Sequence, residues 1–250
     1  MSEASGRRRV AIERLGSRGE GVAATAQGPL YAPYALPGEV VEVEGAGERA
    51  ALVEVIEASP DRIAPVCGYF TQCGGCAVQT LAEAPYAAWK RGLVVTALAQ
   101  AGFADAERLV APLVAAHGAG RRRVVMHVRA EGRGEGLRLR AGFTRARSHE
   151  VLDIAACPIL APPLAGAFDL AREVGRILAP LDKPLDVQAT ATEGGLDVDI
   201  RGAGRGAEAM RAALVALADA RDLARLSLHG ATLIERRAPT VVMGACHVVP

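Results

Sequence analysis

Cys67, Cys73 and Cys76 stand in the spacing C-x5-C-x2-C within the stretch CGYFTQCGGCAVQ, and the chain holds five cysteines in all. Thiolates this close in sequence suit a soft metal, either an iron–sulfur cluster or zinc. Gly74 and Gly75 let the backbone wrap tightly and turn amide N–H groups inward, toward sulfurs that carry negative charge. A fourth ligand is required, and the candidates are Cys157 and Cys246. Cys157 precedes Pro158 at the junction of an expected strand and an expected helix, and a proline just after a ligand cysteine also occurs in cluster-binding runs. Cys246 has only His247 beside it and reads as a buried or incidental thiol. Three readings stay open on spacing alone. A cluster fits three grouped thiolates with a distant fourth. Structural zinc more often uses two C-x2-C pairs or cysteine–histidine mixtures. Small buried residues without a metal are the third.

Elements must place these thiols. Residues 8–57 read as five short strands cut by glycine and proline, with apolar residues alternating at Val10 and Ile12, and at Val41 and Val43. Strands of this length and spacing predict an all-β barrel of the OB type over 1–60. Residues 61–250 are expected to form an α+β domain with mainly antiparallel pairing. It opens with the cysteine loop and a helix carrying Tyr86, Trp89, Leu93, Thr96, Ala97 and Gln100 along one side. RRRVVMHVRAEGRGEGLRLRAGFTRARSHEVLDI then reads as strand, glycine-rich turn and strand, with a third strand around Val151–Ile154, and a helix opens after the prolines that follow Cys157. Strands 185–191 and 195–200, helix 206–220 and strands 224–229 and 231–237 complete the pattern. The run PTVVMGACHVVP ends the chain on an apolar, strand-like stretch.

Charge and composition bound the partners. Net charge is +1, so the chain as a whole is no general polyanion binder. Residues 121–150, however, hold nine arginines (121, 122, 123, 129, 133, 138, 140, 145 and 147) against Glu131, Glu135 and Glu150, a local excess of six positive charges with His127 and His149 nearby. Such a patch can neutralise several phosphates, or it can be a solvated face in an arginine-rich protein. Arg7, Arg8 and Arg9 are further candidates for phosphate. Aromatics are 4% of residues. Tyr31 and Tyr34 are the local candidates for base stacking, so backbone contacts are expected to dominate any nucleic-acid binding. The N-terminus has charge but no apolar signal region, no run of membrane-spanning length occurs, and the cysteine count is odd. These features predict a cytoplasmic protein with reduced thiols and no disulfide framework.

CGYFTQCGGCAVQTL, then Tyr86, Trp89 and Lys90, then GFTRARSHEVLDIAACPIL resemble the bacterial RNA uracil-C5 methyltransferases. The similarity is to the branch that acts on 23S ribosomal RNA and carries an iron–sulfur cluster. IERLGSRGEGVA and ALPGEVVEV resemble that family's small RNA-binding barrel, the TRAM domain. The resemblance covers nearly the whole chain. It implies a 4Fe-4S cluster on Cys67, Cys73, Cys76 and Cys157. It implies 23S ribosomal RNA as partner, with contacts expected from Arg121, Arg122, Arg123, Arg129, Arg138, Arg140, Arg145 and Arg147. No DNA or membrane partner is expected, and the protein is expected to act as a monomer.

The family's reaction needs a Rossmann-like domain for S-adenosylmethionine, a cysteine that adds to C6 of uracil, and a carboxylate base. No segment here matches them, and Cys246 is not in a matching context. The chain is therefore expected to stop where the catalytic domain would begin and to be inactive alone. The alternative is a stand-alone iron–sulfur RNA-binding module. Gly202-x-Gly204-x-Gly206 between a strand and a helix imitates a nucleotide loop. The strand that follows lacks the acidic residue that binds ribose, so the reading taken is a glycine-rich turn before an amphipathic helix.

Overall fold

The computed structural model describes residues 6–115, 120–132, 134–243 and 246–249, without the side chains of 243 and 246. Arg133 therefore lies outside the described residues. The chain forms two compact units, Met1–Thr71 with Cys76–Ala115, and Gln72–Gly75 with Ala116–Pro250.

The first unit begins with β1 (Arg7–Ala11), β2 (Arg14–Leu15), β3 (Gly21–Thr25), β4 (Gly28–Ala32), β5 (Val40–Glu44) and β6 (Ala51–Glu57). They form two antiparallel sheets, β1-β5-β6 and β2-β3-β4. The stretch RRRVAIERL supplies both β1 and β2. The N–H of Ile12 donates to the carbonyl of Glu39 and that of Glu13 donates to the carbonyl of Val22, so one stretch of chain passes from the first sheet to the second. The alternation in β3, β4 and β5 turns Ala23, Leu30, Ala32, Val41 and Val43 into a single core with Ile12.

This unit does not end at residue 60. Ile63 and Thr80, and Asp61 and Ala82, are joined by backbone hydrogen bonds. Arg62 closes on Glu39 and on the Tyr34 carbonyl. Helix α1 (Glu83–Gln100) and the single turn α2 (Ala106–Leu109) follow, joined by the Arg91–Glu107 ion pair. The expected face of α1 is only half covered. Tyr86, Trp89 and Leu93 are half-buried, while Thr96, Ala97 and Gln100 are exposed. Its stripe is broken by small and polar residues, so α1 buries no residue completely.

The second unit contains β7 (Arg123–Glu131), β8 (Arg138–Thr144), β9 (Val151–Asp153), α3 (Ala167–Leu178), β10 (Leu185–Thr192), β11 (Gly195–Arg201), α4 (Arg211–Ala220), β12 (Arg225–Leu228), β13 (Ala231–Glu235), β14 (Val241–Met243) and β15 (Cys246–Val248). Seven strands make one sheet in the order β13-β12-β11-β10-β7-β8-β9, and β14 pairs with β15 as a separate hairpin. Within the sheet β11–β12 is parallel and the other pairs are antiparallel. Helix α3 buries Phe168, Ala171, Val174, Gly175 and Leu178, a stripe of three- and four-residue spacing. It packs onto β7 and β8, where a Cβ on Gly175 would meet Val128 Cγ1 at 2.6 Å. In β7, Val124, Met126 and Val128 are buried and face the core. The alternate residues Arg123, Val125, His127 and Arg129 lie on the opposite, more open face.

Gly202, Gly204 and Gly206 each meet residues of 181–184. Cβ atoms there would lie 2.3 Å from the Pro184 carbonyl, 2.6 Å from Lys183 Nζ and 2.8 Å from Leu181 Cδ2. Close packing against backbone therefore accounts for Gly202, whereas at Gly204 and Gly206 the near atoms are the ends of flexible side chains. The Gly204 N–H donates to His229 Nε2 at 3.1 Å.

Candidate metal and nucleic-acid sites

Cys67, Cys73, Cys76 and Cys157 are all half-buried thiols. Cys73 and Cys157 belong to the second unit, Cys67 and Cys76 to the first. Cys73 lies opposite Arg145 in an antiparallel bridge just beyond β8. Cys157 follows β9, the strand paired with β8, in a turn closed by the N–H of Leu160 donating to the Cys157 carbonyl. These two thiols thus flank one short strand pair. The Gly75 N–H donates to Cys73 Sγ at 3.4 Å, an amide turned toward sulfur as the two-glycine turn predicts. Among the described residues no three His, Cys, Asp or Glu side chains form a group that could hold a metal ion. Within the second unit, Cys73, a thiol with an amide hydrogen bond to its sulfur, has the chemistry of an iron–sulfur ligand.

In the first unit, residues 67–71 are held locally. The Phe70 N–H donates to the Cys67 carbonyl at 3.1 Å, and the Phe70 ring meets Tyr34 edge-on with centroids 5.2 Å apart. The Tyr34 hydroxyl reaches the Thr71 carbonyl at 3.4 Å. Tyr34, expected as a stacking candidate, is thus engaged with the cysteine loop. Tyr31 carries the Arg49 guanidinium 5.5 Å from its ring centroid.

The eight candidate arginines divide by what they touch. Arg122 pairs with Glu193 at 3.2 Å, and Arg123 donates to the Thr190 hydroxyl at 3.3 Å. Arg140 lies between Glu131 and Glu150, and Arg145 pairs with Glu150 at 3.2 Å and reaches Gln72. Among the described residues, Arg129 bonds only the neighbouring Val128 carbonyl. The side chains of Arg121, Arg138 and Arg147 make no hydrogen bond or ion pair among the described residues. On the outer side of the β7–β8 hairpin, Arg129 stands directly opposite Arg140, and Arg138 opposite Glu131. Like charges directly opposite destabilise a strand pair, a cost that the Glu131 and Glu150 carboxylates beside Arg140 offset. His127 is bonded to Asp186 across β7–β10 at 2.7 Å, a partner 59 residues away that no local pattern announces.

The N-terminal arginines are structural. Arg7 pairs with Glu42, Arg9 with Glu57, and Arg8 bonds the Gly45 and Gly47 carbonyls. The outer side of β5 and β6 also carries Glu42 opposite Glu54. That side of the first unit is poorly suited to a phosphate backbone.

No family model matches the chain. Among curated proteins it is similar to an uncharacterized RNA methyltransferase of Brucella suis, 43% identical over 235 residues, which cover 94% of this chain and 55% of the relative. An uncharacterized RNA methyltransferase of Caulobacter vibrioides is 40% identical over 241 residues, 93% of this chain and 56% of the relative. The 23S rRNA (uracil(1939)-C(5))-methyltransferase RlmD of Aeromonas hydrophila is 31% identical over 194 residues, 76% of this chain and 44% of that protein. The chain spans about half the length of these curated relatives. No helix among the described residues is long and apolar enough to cross a membrane.

Proposed function

We propose that this chain is the RNA-binding and cluster-binding portion of an S-adenosylmethionine-dependent methyltransferase that acts on C5 of a uridine in 23S ribosomal RNA, in the cytoplasm. The observation that carries the reading is the similarity along 94% of the chain to proteins named RNA methyltransferases. A more distant similarity to a named 23S rRNA uracil-C5 enzyme supports the substrate. In this reading the first unit begins with an OB-type TRAM barrel.

Cys67, Cys73, Cys76 and Cys157 would hold a 4Fe-4S cluster, which when bound supplies a link through four thiolates and a redox-active centre. The chain's own residues bind RNA. Arg121, Arg129, Arg138 and Arg147, whose guanidinium groups meet no carboxylate among the described residues, take phosphates; Arg122, Arg123, Arg140 and Arg145 chiefly shape the hairpin. Methyl transfer requires groups this chain does not supply, so the chain alone binds RNA without methylating it.

The test uses the chain, anaerobically reconstituted with iron and sulfide, and a 23S rRNA transcript. The reading expects about four irons per chain, salt-dependent RNA binding, and no methyl transfer from labelled S-adenosylmethionine. Methyl transfer to uridine by the chain alone would overturn the division of labour. Absence of RNA binding at low salt would overturn the RNA role.

A further inference from the structure

The CGGC turn is docked on the chain just beyond β8. The N–H of Gly74 donates to the Thr144 carbonyl at 3.0 Å, and that of Ala146 donates to the Gln72 carbonyl at 2.9 Å. These two bonds bracket the bridge between Cys73 and Arg145. In this pattern the bracketed residues are a non-hydrogen-bonded antiparallel pair, the closer of the two kinds, with side chains on the same face. The Cys73 thiol and the Arg145 stem are therefore neighbours. A Cβ on Gly74 would lie 3.2 Å from the Thr144 carbonyl oxygen and 3.5 Å from Ala146 Cα, so the approach is close along the whole bracket.

Arg145 is fixed at several points. Its Nε meets Glu150 Oε2 at 3.2 Å, its Nη1 reaches Gln72 Oε1 at 3.4 Å, and its own N–H donates to the Glu150 carbonyl at 2.9 Å. Gln72 sits immediately before Cys73, and Glu150 immediately before β9. One guanidinium thus ties the residue that precedes the thiol to the turn that joins β8 to β9. Sequence alone counts Arg145 among the residues for RNA phosphate. The structure gives its side chain two protein partners and puts its stem beside a candidate ligand.

We propose that Arg145 is a positioning residue for the Cys73 thiol, fixing the CGGC turn so that this sulfur is presented to a soft metal. The proposal rests on the cluster reading above. The bracketing backbone bonds set the register of the turn. The guanidinium, held by Gln72 and Glu150, locks that register. Outer partners that orient metal ligands are worth about 10–100-fold in metal affinity.

The experiment compares the wild-type chain with Arg145→Ala, Gln72→Ala and Arg211→Ala. Three quantities are read: iron per chain after anaerobic reconstitution, the rate of cluster loss to a chelator, and the alkylation rate of Cys73 in the metal-free chain by peptide mass spectrometry. Arg145→Ala is expected to lose its cluster about 10–100-fold faster and to alkylate faster at Cys73. Gln72→Ala, which leaves every backbone bond in place, shifts both in the same direction by less. Arg211→Ala, on α4 at an exposed pair with Glu208, matches wild type in both. Wild-type cluster retention and alkylation in Arg145→Ala, with weakened RNA binding, would overturn the proposal and return Arg145 to the phosphate contacts. If the wild-type chain takes up no iron, the cluster reading fails. The alkylation rates then decide the positioning claim alone: faster alkylation in Arg145→Ala supports it, and an unchanged rate ends it.

Discussion

Glu39 is buried in the first unit with its side chain fully out of solvent, and Arg62 closes on it, Nη2 to Oε2, at 2.8 Å. The carboxylate also accepts the N–H groups of Leu36 and Ser59. Arg62 reaches onward to the Tyr34 carbonyl at 2.8 Å. This pair ties residues beyond 60 to the strands before it. Arg62→Ala leaves a buried carboxylate without its cation and is expected to cost about 3–5 kcal/mol. Urea unfolding checks it; a loss below about 1 kcal/mol, the range of an exposed pair, would show that the pair is not buried in solution.

The same pair gives the stability a pH dependence. Burial pushes the Glu39 carboxyl up, but the Arg62 hydrogen bond, the Leu36 N–H, the Arg62 charge and the Ser59 N–H together hold it below the ordinary carboxylate range. A folded-state value below the unfolded one means stability that is present above the unfolded pKa, about 4.3, and is lost as pH falls through the folded value. Melting temperature is expected to fall more steeply below about pH 4 in the wild type than in Glu39→Gln. Parallel curves for the two proteins would remove Glu39 from the acid response.

For the hairpin, Arg129 and Arg138 are expected to act as phosphate contacts. Each contact to a single strand contributes about 0.7 to the slope of log affinity against log salt. Arg129→Ala with Arg138→Ala is therefore expected to flatten that slope by roughly 1.4, and Arg122→Ala, whose guanidinium is held by Glu193, to change it least. Fluorescence anisotropy across a salt series measures this. An unchanged slope in the double variant would move the RNA surface elsewhere.

Most of the second unit's elements were legible because period-two runs such as Leu185–Thr192 and the α3 stripe repeat over enough residues to be unambiguous. The sheet order was not. Placing β10 beside β7, and β12 parallel to β11, depends on which edges meet, and local pattern carries no such information. The arginine run was legible as charge but not as contact. The partners that commit Arg122 and Arg123, Glu193 and Thr190, lie 71 and 67 residues away. The grouping of three cysteines is plain in the sequence, while the docking of Gln72–Gly75 on Thr144–Ala146 emerges only from long-range backbone pairing. Arg62, just beyond the expected end of the first domain at 60, carries a charge whose buried partner sits 23 residues back.

Cys73→Ser tests whether metal and stability are linked. If the thiol holds a cluster that braces the fold, the variant is expected to lose bound iron, melting temperature and RNA affinity together. Calorimetry and RNA titration on the reconstituted chain read all three. A loss of RNA affinity at unchanged melting temperature would instead mean that the metal serves binding and not the fold.

Gly142 sets how closely β8 and β9 approach. A Cβ there would stand 2.0 Å from the Leu152 carbonyl oxygen, a backbone atom that cannot swing aside as a side chain does. Gly142 pairs with Asp153, and the next amide, that of Ile154, donates to the Ala141 carbonyl at 3.0 Å. Arg172 of α3 reaches the Asp153 carboxylate at 2.8 Å and the Ile154 carbonyl at 2.7 Å, so the end of β9 is held from two sides. Gly142→Ala must push β9 outward, and β9 is an edge strand of three residues with little else to hold it. Hydrogen exchange is expected to show the Ile154 amide losing protection, while amides in the central β10–β11 pairing keep theirs. Because Cys157 follows β9 directly, its alkylation is expected to quicken in the same variant. Unchanged protection at Ile154 would mean that the two strands are farther apart in solution than this pairing requires.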